Sequence, residues 1–326
     1  MKIVHSINST SYPEEELIVR VAWEYFMNQT SQAVIAQQLG VSRPTISRLI
    51  QKARTMGIVR ISIDSQFGVC IRLEDEFRRR LQLVTQIVPQ GFANREIGSI
   101  LGEAAASYIN QHIRTVSRIA VGWGRTISHI AQSAYLNPQD RTGGEVVEMV
   151  GAFSSSGDKL ATLRVAGNLA QAYGMTAYAL NAPAIAPDAE TCNLLKNHEQ
   201  IREVLEKACT ADLAVASLGT VDETSTLYTM GLVTSEDLYR LRMLGAVGEI
   251  LGRFFNREGR PVNSQLDDRL VGITLEQLRR IPVVMIVAGG SEKVYALLGA
   301  IRGGLMNHLV TDENTARLIL EQYQNG

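Results

Sequence analysis

Residues 31–60 read SQAVIAQQLGVSRPTISRLIQKARTMGIVR, and this run decides the first part of the fold. Ser31, or Thr30 before it, is placed to cap a short helix from Gln32 to Leu39. Gly40 then ends that helix, because glycine takes a positive φ without steric cost. Ser42 caps the next helix and Pro44 falls in its first turn, where a missing N–H is harmless. Ile46, Leu49, Ile50 and Ala53 recur at helical spacing, so that helix runs to about Thr55 with one apolar stripe. Small Ala36 permits close crossing and Val41 plugs the turn, which is the pattern of a helix-turn-helix. The second helix turns Arg43, Thr45, Ser47, Arg48, Gln51, Lys52 and Arg54 outward. Between Ser31 and Arg60 there are five basic residues and no acid. A solvated hairpin would show part of this pattern. The caps, the turn glycine, the small residue and the acid-free face together favour contact with double-stranded DNA, through phosphates and base edges. The expected contacts are Ser31, Gln32, Ser42, Arg43, Thr45, Ser47, Arg48, Gln51 and Lys52. Ile58 to Ile63 alternates like a strand, which is expected to open a β-wing carrying Arg60 to the backbone.

Upstream, Glu14 to Asn28 reads as an amphipathic helix with three glutamates at its positive end. Residues 1–12 are polar and lack a signal-peptide core, so they are expected to form a loose arm. Downstream, Val69 to Leu83 is helical, with Leu73, Phe77 and Leu81 four apart. It is either a solvated surface helix or a linker that helps two copies pair. These readings divide the chain into a winged helix-turn-helix over 1–65, a linker helix over 66–83 and a larger domain over 84–326.

Whole-chain properties exclude several classes. With 32 Lys plus Arg against 33 Asp plus Glu, only local clustering carries an electrostatic signal. The cysteines, Cys70, Cys192 and Cys209, are odd in number and far apart. That argues against a disulfide framework and fits a cytoplasmic location. The five histidines form no metal-binding spacing, so no metal is expected. The longest apolar run, near Ile281 to Ala288, is far short of the roughly 20 residues of a membrane-spanning helix.

From Val84 onward, short apolar strands alternate with amphipathic helices. Strands are expected at Val84–Val88, Arg118–Gly122, Val146–Val150, Thr176–Leu180, Leu213–Leu218 and Pro282–Ala288, with an edge strand at Leu309–Thr311. This pattern implies an α/β fold, a doubly wound and mostly parallel Rossmann-like sheet. Ligands bind such sheets at the carboxyl ends of the strands. The residues that follow the strands are therefore the candidates for a small-molecule site: Gly122, Trp123, Gly124, Arg125, Thr126, Gly151, Asn181, Gly219 and Lys293, with Glu249 set apart in the stretch GAVGEILGRFF. Gly122 and Gly124 allow backbone approach, but Ile127 stands where a dinucleotide fingerprint needs glycine. No Walker loop is present either, so no cofactor is expected. Trp123 either stacks on a sugar face or fills the rim. Lys293 is either a point charge for a phosphate or an exposed helix lysine.

The order of these parts resembles the SorC family of sugar-responsive bacterial transcriptional regulators. The stretches that carry the resemblance are ISRLIQKARTMGIVRISI (46–63), VGWGRT (121–126), GAVGEILGRFF (245–255) and AGGSEKVYALLGAIRGG (288–304). The resemblance implies an N-terminal winged helix-turn-helix joined to a sugar-binding domain similar to phosphosugar isomerases. It also implies a homotetramer and an effector that is a sugar, polyol or sugar phosphate. By motif, residues 122–126 match the family's effector-cradling loop, Glu249 an acid that meets effector hydroxyls, and Lys293 a lysine on the effector. Relatives with phosphorylated effectors often carry a Gly-Thr-Thr loop, where this chain has Trp123 and Arg125. No catalytic residue is expected. The alternative is a sugar-phosphate isomerase or deaminase with an appended DNA-binding domain. That enzyme needs a general base, for which Asp222 and Glu223 are candidates, although no histidine follows to complete the pair.

Overall fold

The computed structural model describes residues 13–59, 65–90, 95–135, 143–152 and 165–324. The chain divides into two compact units, residues 1–64 and 65–326.

In the first unit, α1 (Glu14–Phe26), α2 (Gln32–Leu39) and α3 (Arg43–Thr55) pack around Ile18, Val21, Ile35, Leu39, Ile46, Leu49 and Ala53. The local signals produce their expected structures. Ser31 Oγ accepts from the Val34 amide at 3.4 Å and Ser42 Oγ from the Thr45 amide at 3.3 Å. Gly40 closes α2 at φ +65°. Ala36 is buried in this core, as its small size requires. Ile58 and Val59 leave α3 in a bend rather than a strand. The rest of the expected wing, Arg60 included, lies outside the described residues, as does the expected arm over residues 1–12.

The second unit opens with α4 (Gln66–Leu81). Its face bearing Cys70, Leu73 and Phe77 is buried in the same core as the sheet, so this apolar stripe is used within the unit. The main strands are β1 (Val84–Val88), β2 (Arg118–Val121), β3 (Glu145–Glu148), β4 (Thr176–Tyr178) and β5 (Leu213–Ala216). After these come a hairpin, β6 (Ala246–Ile250) and β7 (Arg253–Asn256), and then β8 (Val283–Val287) and β9 (His308–Asp312). Helices connect them: α5 (Ile97–His112), α6 (Arg125–Ser133), α7 (Val165–Tyr173), α8 (Ala189–Asn197) and α9 (Glu199–Cys209). Four more follow β5: α10 (Thr226–Thr229), α11 (Ser235–Met243), α12 (Gln265–Arg269) and α13 (Leu275–Arg279). The last two are α14 (Val294–Arg302) and α15 (Glu313–Gln324).

Seven strands form one sheet in the order β1-β9-β8-β5-β2-β3-β4, and every neighbouring pair is parallel. Successive side chains enter opposite layers, as the pleat dictates. Ile119, Val121, Leu213 and Val215 join the core under α5, α6 and α7. Ala120, Ala214 and Ala216 face the other layer. Two expectations are corrected. Residues 308–312 are not an edge strand, because β9 pairs on both sides and β1 takes the edge. The sheet is also accompanied by an antiparallel pair, β6 and β7, whose glycine-broken sequence GAVGEILGRFF carries no clear strand period.

Strand order creates the site. From β2 the chain moves to β3 and β4 on one side, whereas β5 pairs with β2 on the other. The connections leaving β2 and β5 therefore diverge, and a crevice opens at their carboxyl ends.

Candidate functional site

That crevice is a cleft of about 300 Å³, lined by the loops after β2 (123–126), β5 (217–220, 224–226) and β8 (289, 292, 293). The start of α5 adds Glu96, Ile97, Gly98 and Leu101. Gly124 takes φ +133°, a conformation that disfavours side chains, and a Cβ there would come within 2.9 Å of Ser217 Oγ. Gly124 is the N-cap of α6 and has no side chain to cap it, so among the described residues the first amides of α6 are left to solvent or ligand.

Glu249 reaches the cleft from outside the main sheet. The Gly219 amide donates to the Glu249 carbonyl and the Glu249 amide to the Gly219 carbonyl, both at 3.0 Å. A Cβ on Gly219 would overlap the Glu249 carboxyl, so the glycine is what admits it. The Gly252 amide donates to Glu249 Oε2 at 2.7 Å. Between β6 and β7 the chain turns through Leu251 at φ +58° and Gly252 at φ +80°. Leu251 is buried against Gly122, where a Cβ would lie 2.7 Å from Leu251 Cδ2. Arg253 then anchors the hairpin. It is buried, pairs with Asp267 Oδ1 at 2.7 Å, and donates to the carbonyls of Ile273, Asp267, Leu270 and Gly272.

Only 7% of Glu249 is exposed. Burial pushes its carboxyl up to about 7, against the opposing pull of the Gly252 amide and Lys293. Half-buried Lys293 is shifted down, first by burial and also by Arg125, while Glu292 and Glu249 act in the other direction. Near neutral pH the Glu249 carboxyl can therefore accept a hydrogen bond from a ligand hydroxyl or donate one. Hydroxyls of Thr126, Ser217, Thr220, Thr224, Ser225 and Thr226 line the same cleft. Arg125 is mostly exposed and lies 3.9 Å from Glu96 Oε1, a loose surface pair.

Of the residues expected in the site, Trp123, Gly124, Arg125, Thr126, Gly219, Glu249 and Lys293 line this cleft. Gly122 and Gly151 line a smaller adjoining cavity of about 40 Å³, which also shares Trp123. Gly151 is tightly packed, since a Cβ there would lie 2.8 Å from the Pro183 backbone. Asn181 is exposed and lines neither cavity. Sequence reasoning missed Ser217, Thr224, Ser225 and Thr226, although the hydroxyl run SLGTVDETST was legible. It also had no signal for Glu96, Ile97, Gly98 and Leu101 at the start of α5. The general-base candidates are not among the lining residues. Asp222 accepts from the Thr224 amide at 2.8 Å, and Glu223 pairs with Arg242 at 3.2 Å.

On the first unit, Arg43, Ser47, Arg48 and Gln51 are exposed along α3. Lys52 is turned back to Glu14 on α1 at 2.5 Å, and Arg54 covers the Phe26 ring at 5.3 Å. The side-chain oxygens of Ser31 and Ser42 are engaged as helix caps, while Gln32 is half-buried and Thr45 hydrogen-bonds Ser42.

Comparisons with known proteins match both parts of this architecture. Residues 65–321 match the family model of a sugar-binding domain, Sugar-bind. The transcriptional regulator LsrR of Enterobacter sp. (strain 638) is 33% identical over 312 residues, covering 94% of this chain and 93% of that one. LsrR of Escherichia coli (strain K12) is 32% identical over 319 residues, covering 97% and 98%. Among solved structures, the full-length sorbitol operon regulator SorC from Klebsiella pneumoniae superposes with a TM-score of 0.70 at 24% identity, covering 95% of this chain and 100% of that one. A DeoR family transcriptional regulator from Listeria monocytogenes gives a TM-score of 0.70 at 26% identity, covering 77% and 99%. No helix among the described residues is long and apolar enough to cross a membrane. With a domain match over most of its length and regulators aligned to it nearly end to end, the chain belongs to the SorC family of sugar-binding transcriptional regulators.

Proposed function

We propose that α3 contacts operator DNA and that the β2/β5 cleft takes a sugar, polyol or sugar phosphate controlling that contact. The observation that carries this reading is the convergence of three strand-end loops on a buried acid and a half-buried lysine, with six hydroxyl side chains around them. An acid and hydroxyls answer the hydroxyls of a polyol, and the lysine answers an anionic or polar end. The effector acts by binding one conformational state better than another, which shifts the population that holds DNA. Arg43, Arg48, Ser47 and Gln51 carry the DNA contact, with Lys52 contributing once released from Glu14. The working form is a homotetramer in the cytoplasm. One recognition helix spans only a few base pairs, and a regulator gains specificity by placing two about one helical turn apart.

Gel-shift titration of DNA from upstream of the chain's own gene, with and without a panel of sugars, polyols and their phosphates, tests the whole scheme. One compound should change the DNA affinity, and light scattering should show dimers or tetramers. A monomer that binds DNA with the same affinity in every compound would sink it.

A further inference from the structure

Beside the main cleft, a carboxyl that the family motifs do not include faces a second cavity. Glu148 is the last residue of β3 and is in register with Val121 of β2. It lines the smaller cavity together with Trp123, Val150, Ala166 and Met230, an otherwise apolar wall. Its Oε2 accepts from the Leu180 amide at 2.8 Å, and no other hydrogen bond to this carboxyl is found among the described residues. Burial shifts the carboxyl upward, with that one amide opposing. Glu148 is half-buried, and a carboxyl with one hydrogen-bond donor keeps acceptor capacity that a ligand hydroxyl can fill.

The two cavities share walls. Trp123 lines both, and the segment after β5 reaches both, through Thr224, Ser225 and Thr226 on one side and Met230 on the other. We propose that the effector site continues past Trp123 to Glu148, so that the effector is an extended polyhydroxy chain with a hydroxyl on that carboxyl. The inference rests on the reading of the main cleft as an effector site. The smaller cavity, at about 40 Å³, accommodates a hydroxyl-bearing carbon rather than a sugar ring. Lys293 and Glu148 then mark opposite ends of the ligand, one suited to an anionic or polar group and the other to a hydroxyl donor.

A structural role for Glu148, holding only the Leu180 amide, makes a different forecast. Glu148→Gln keeps a carbonyl oxygen for that amide but turns an N–H₂ group into the cavity. Calorimetric titration of the full chain with three- to six-carbon polyols, sugars and their phosphates separates the two roles. For the six-carbon compounds that bind wild type, Glu148→Gln should weaken binding about tenfold or more. Three-carbon compounds should bind it as they bind wild type, and its melting temperature should not change. If Glu148→Gln proves unstable, Met230→Phe fills the small cavity from the opposite wall and should show the same dependence on chain length. Unchanged affinity across the panel for both variants, with binding lost in Glu249→Gln, overturns the extension and leaves the main cleft standing. A wild type that binds only three-carbon compounds also overturns it. Unchanged affinity in Glu249→Gln as well, or a wild type that binds nothing in the panel, removes the effector reading itself.

Discussion

The α3 face and the β2/β5 cleft both carry candidate functional side chains, but they are built in opposite ways. Arg43, Ser47, Arg48 and Gln51 come from one helix and point to solvent. Removing one of them changes little besides the surface. In the cleft, Glu249 depends on Gly219 for room, on Gly252 for a hydrogen bond, and on Arg253 to anchor the hairpin that carries it. Changing any of these alters packing and chemistry together. Substitutions on α3 should therefore separate binding from stability, whereas those that hold Glu249 in place should not.

The largest effect should come from Arg253→Ala. It strips the partner from Asp267 and leaves several buried carbonyls unsatisfied. Asp267 is partly exposed, so most of the cost comes from the carbonyls left without a donor, and the total is about 3–5 kcal/mol. Denaturant unfolding of the second unit should report that loss, with the helix-turn-helix melting unchanged. A loss under 1 kcal/mol would mean that the hairpin is held by something else.

The next effect is pH-dependent. The Glu249 carboxyl titrates at about 7 in the fold against an ordinary 4.5. Below about pH 4.5 it is neutral in both folded and unfolded chains and costs nothing. Between 4.5 and 7 the unfolded chain ionises first, so stability falls as pH rises, and the loss levels off above 7. The full difference amounts to roughly 3 kcal/mol. Glu249→Gln should flatten this part of the stability curve of the second unit. Identical pH profiles for the two proteins would contradict the buried, protonated carboxyl.

On the α3 side, Arg48→Ala or Arg43→Ala should weaken operator binding by about 1–3 kcal/mol if the side chain reads a base. Fluorescence anisotropy with labelled operator measures this, and the melting curve should not move. If DNA affinity is unaffected in both variants, contact lies elsewhere on the unit. The smallest effect belongs to Ser42→Ala, which removes the cap at the start of α3 and should cost about 1 kcal/mol of first-unit stability. A stability loss there with little change in DNA affinity would assign Ser42 to the fold rather than to the contact.

Legibility in the sequence follows the same division. The ends of α2 and α3 were readable because caps, a turn glycine and a helical period act over a few residues. Strands β1, β2, β5 and β8 were readable as apolar runs between amphipathic helices. Their order was not, and Leu309 to Thr311 was misplaced at the edge because nothing in those residues says which strands lie beside them. Asn181 follows a strand as Gly122 does, yet it is exposed and lines neither cavity. Glu148 looked like an ordinary strand residue, because its significance depends on a cavity formed by β2, β3 and the segment ending at Met230.

Sequence alone determined the helix-turn-helix, the acid-free basic face of its second helix, the alternating α/β pattern and the family. Each of these is a local pattern of caps, periods and motifs, and local backbone physics is sufficient to express it. Tertiary structure alone decided the strand order, and with it the switch point between β2 and β5 where the cleft opens. It also brought Glu249 to Gly219 across 30 residues, buried its carboxyl and shifted its titration toward neutrality. Those outcomes depend on which surfaces exclude water together, and that is set by packing between elements far apart in the chain.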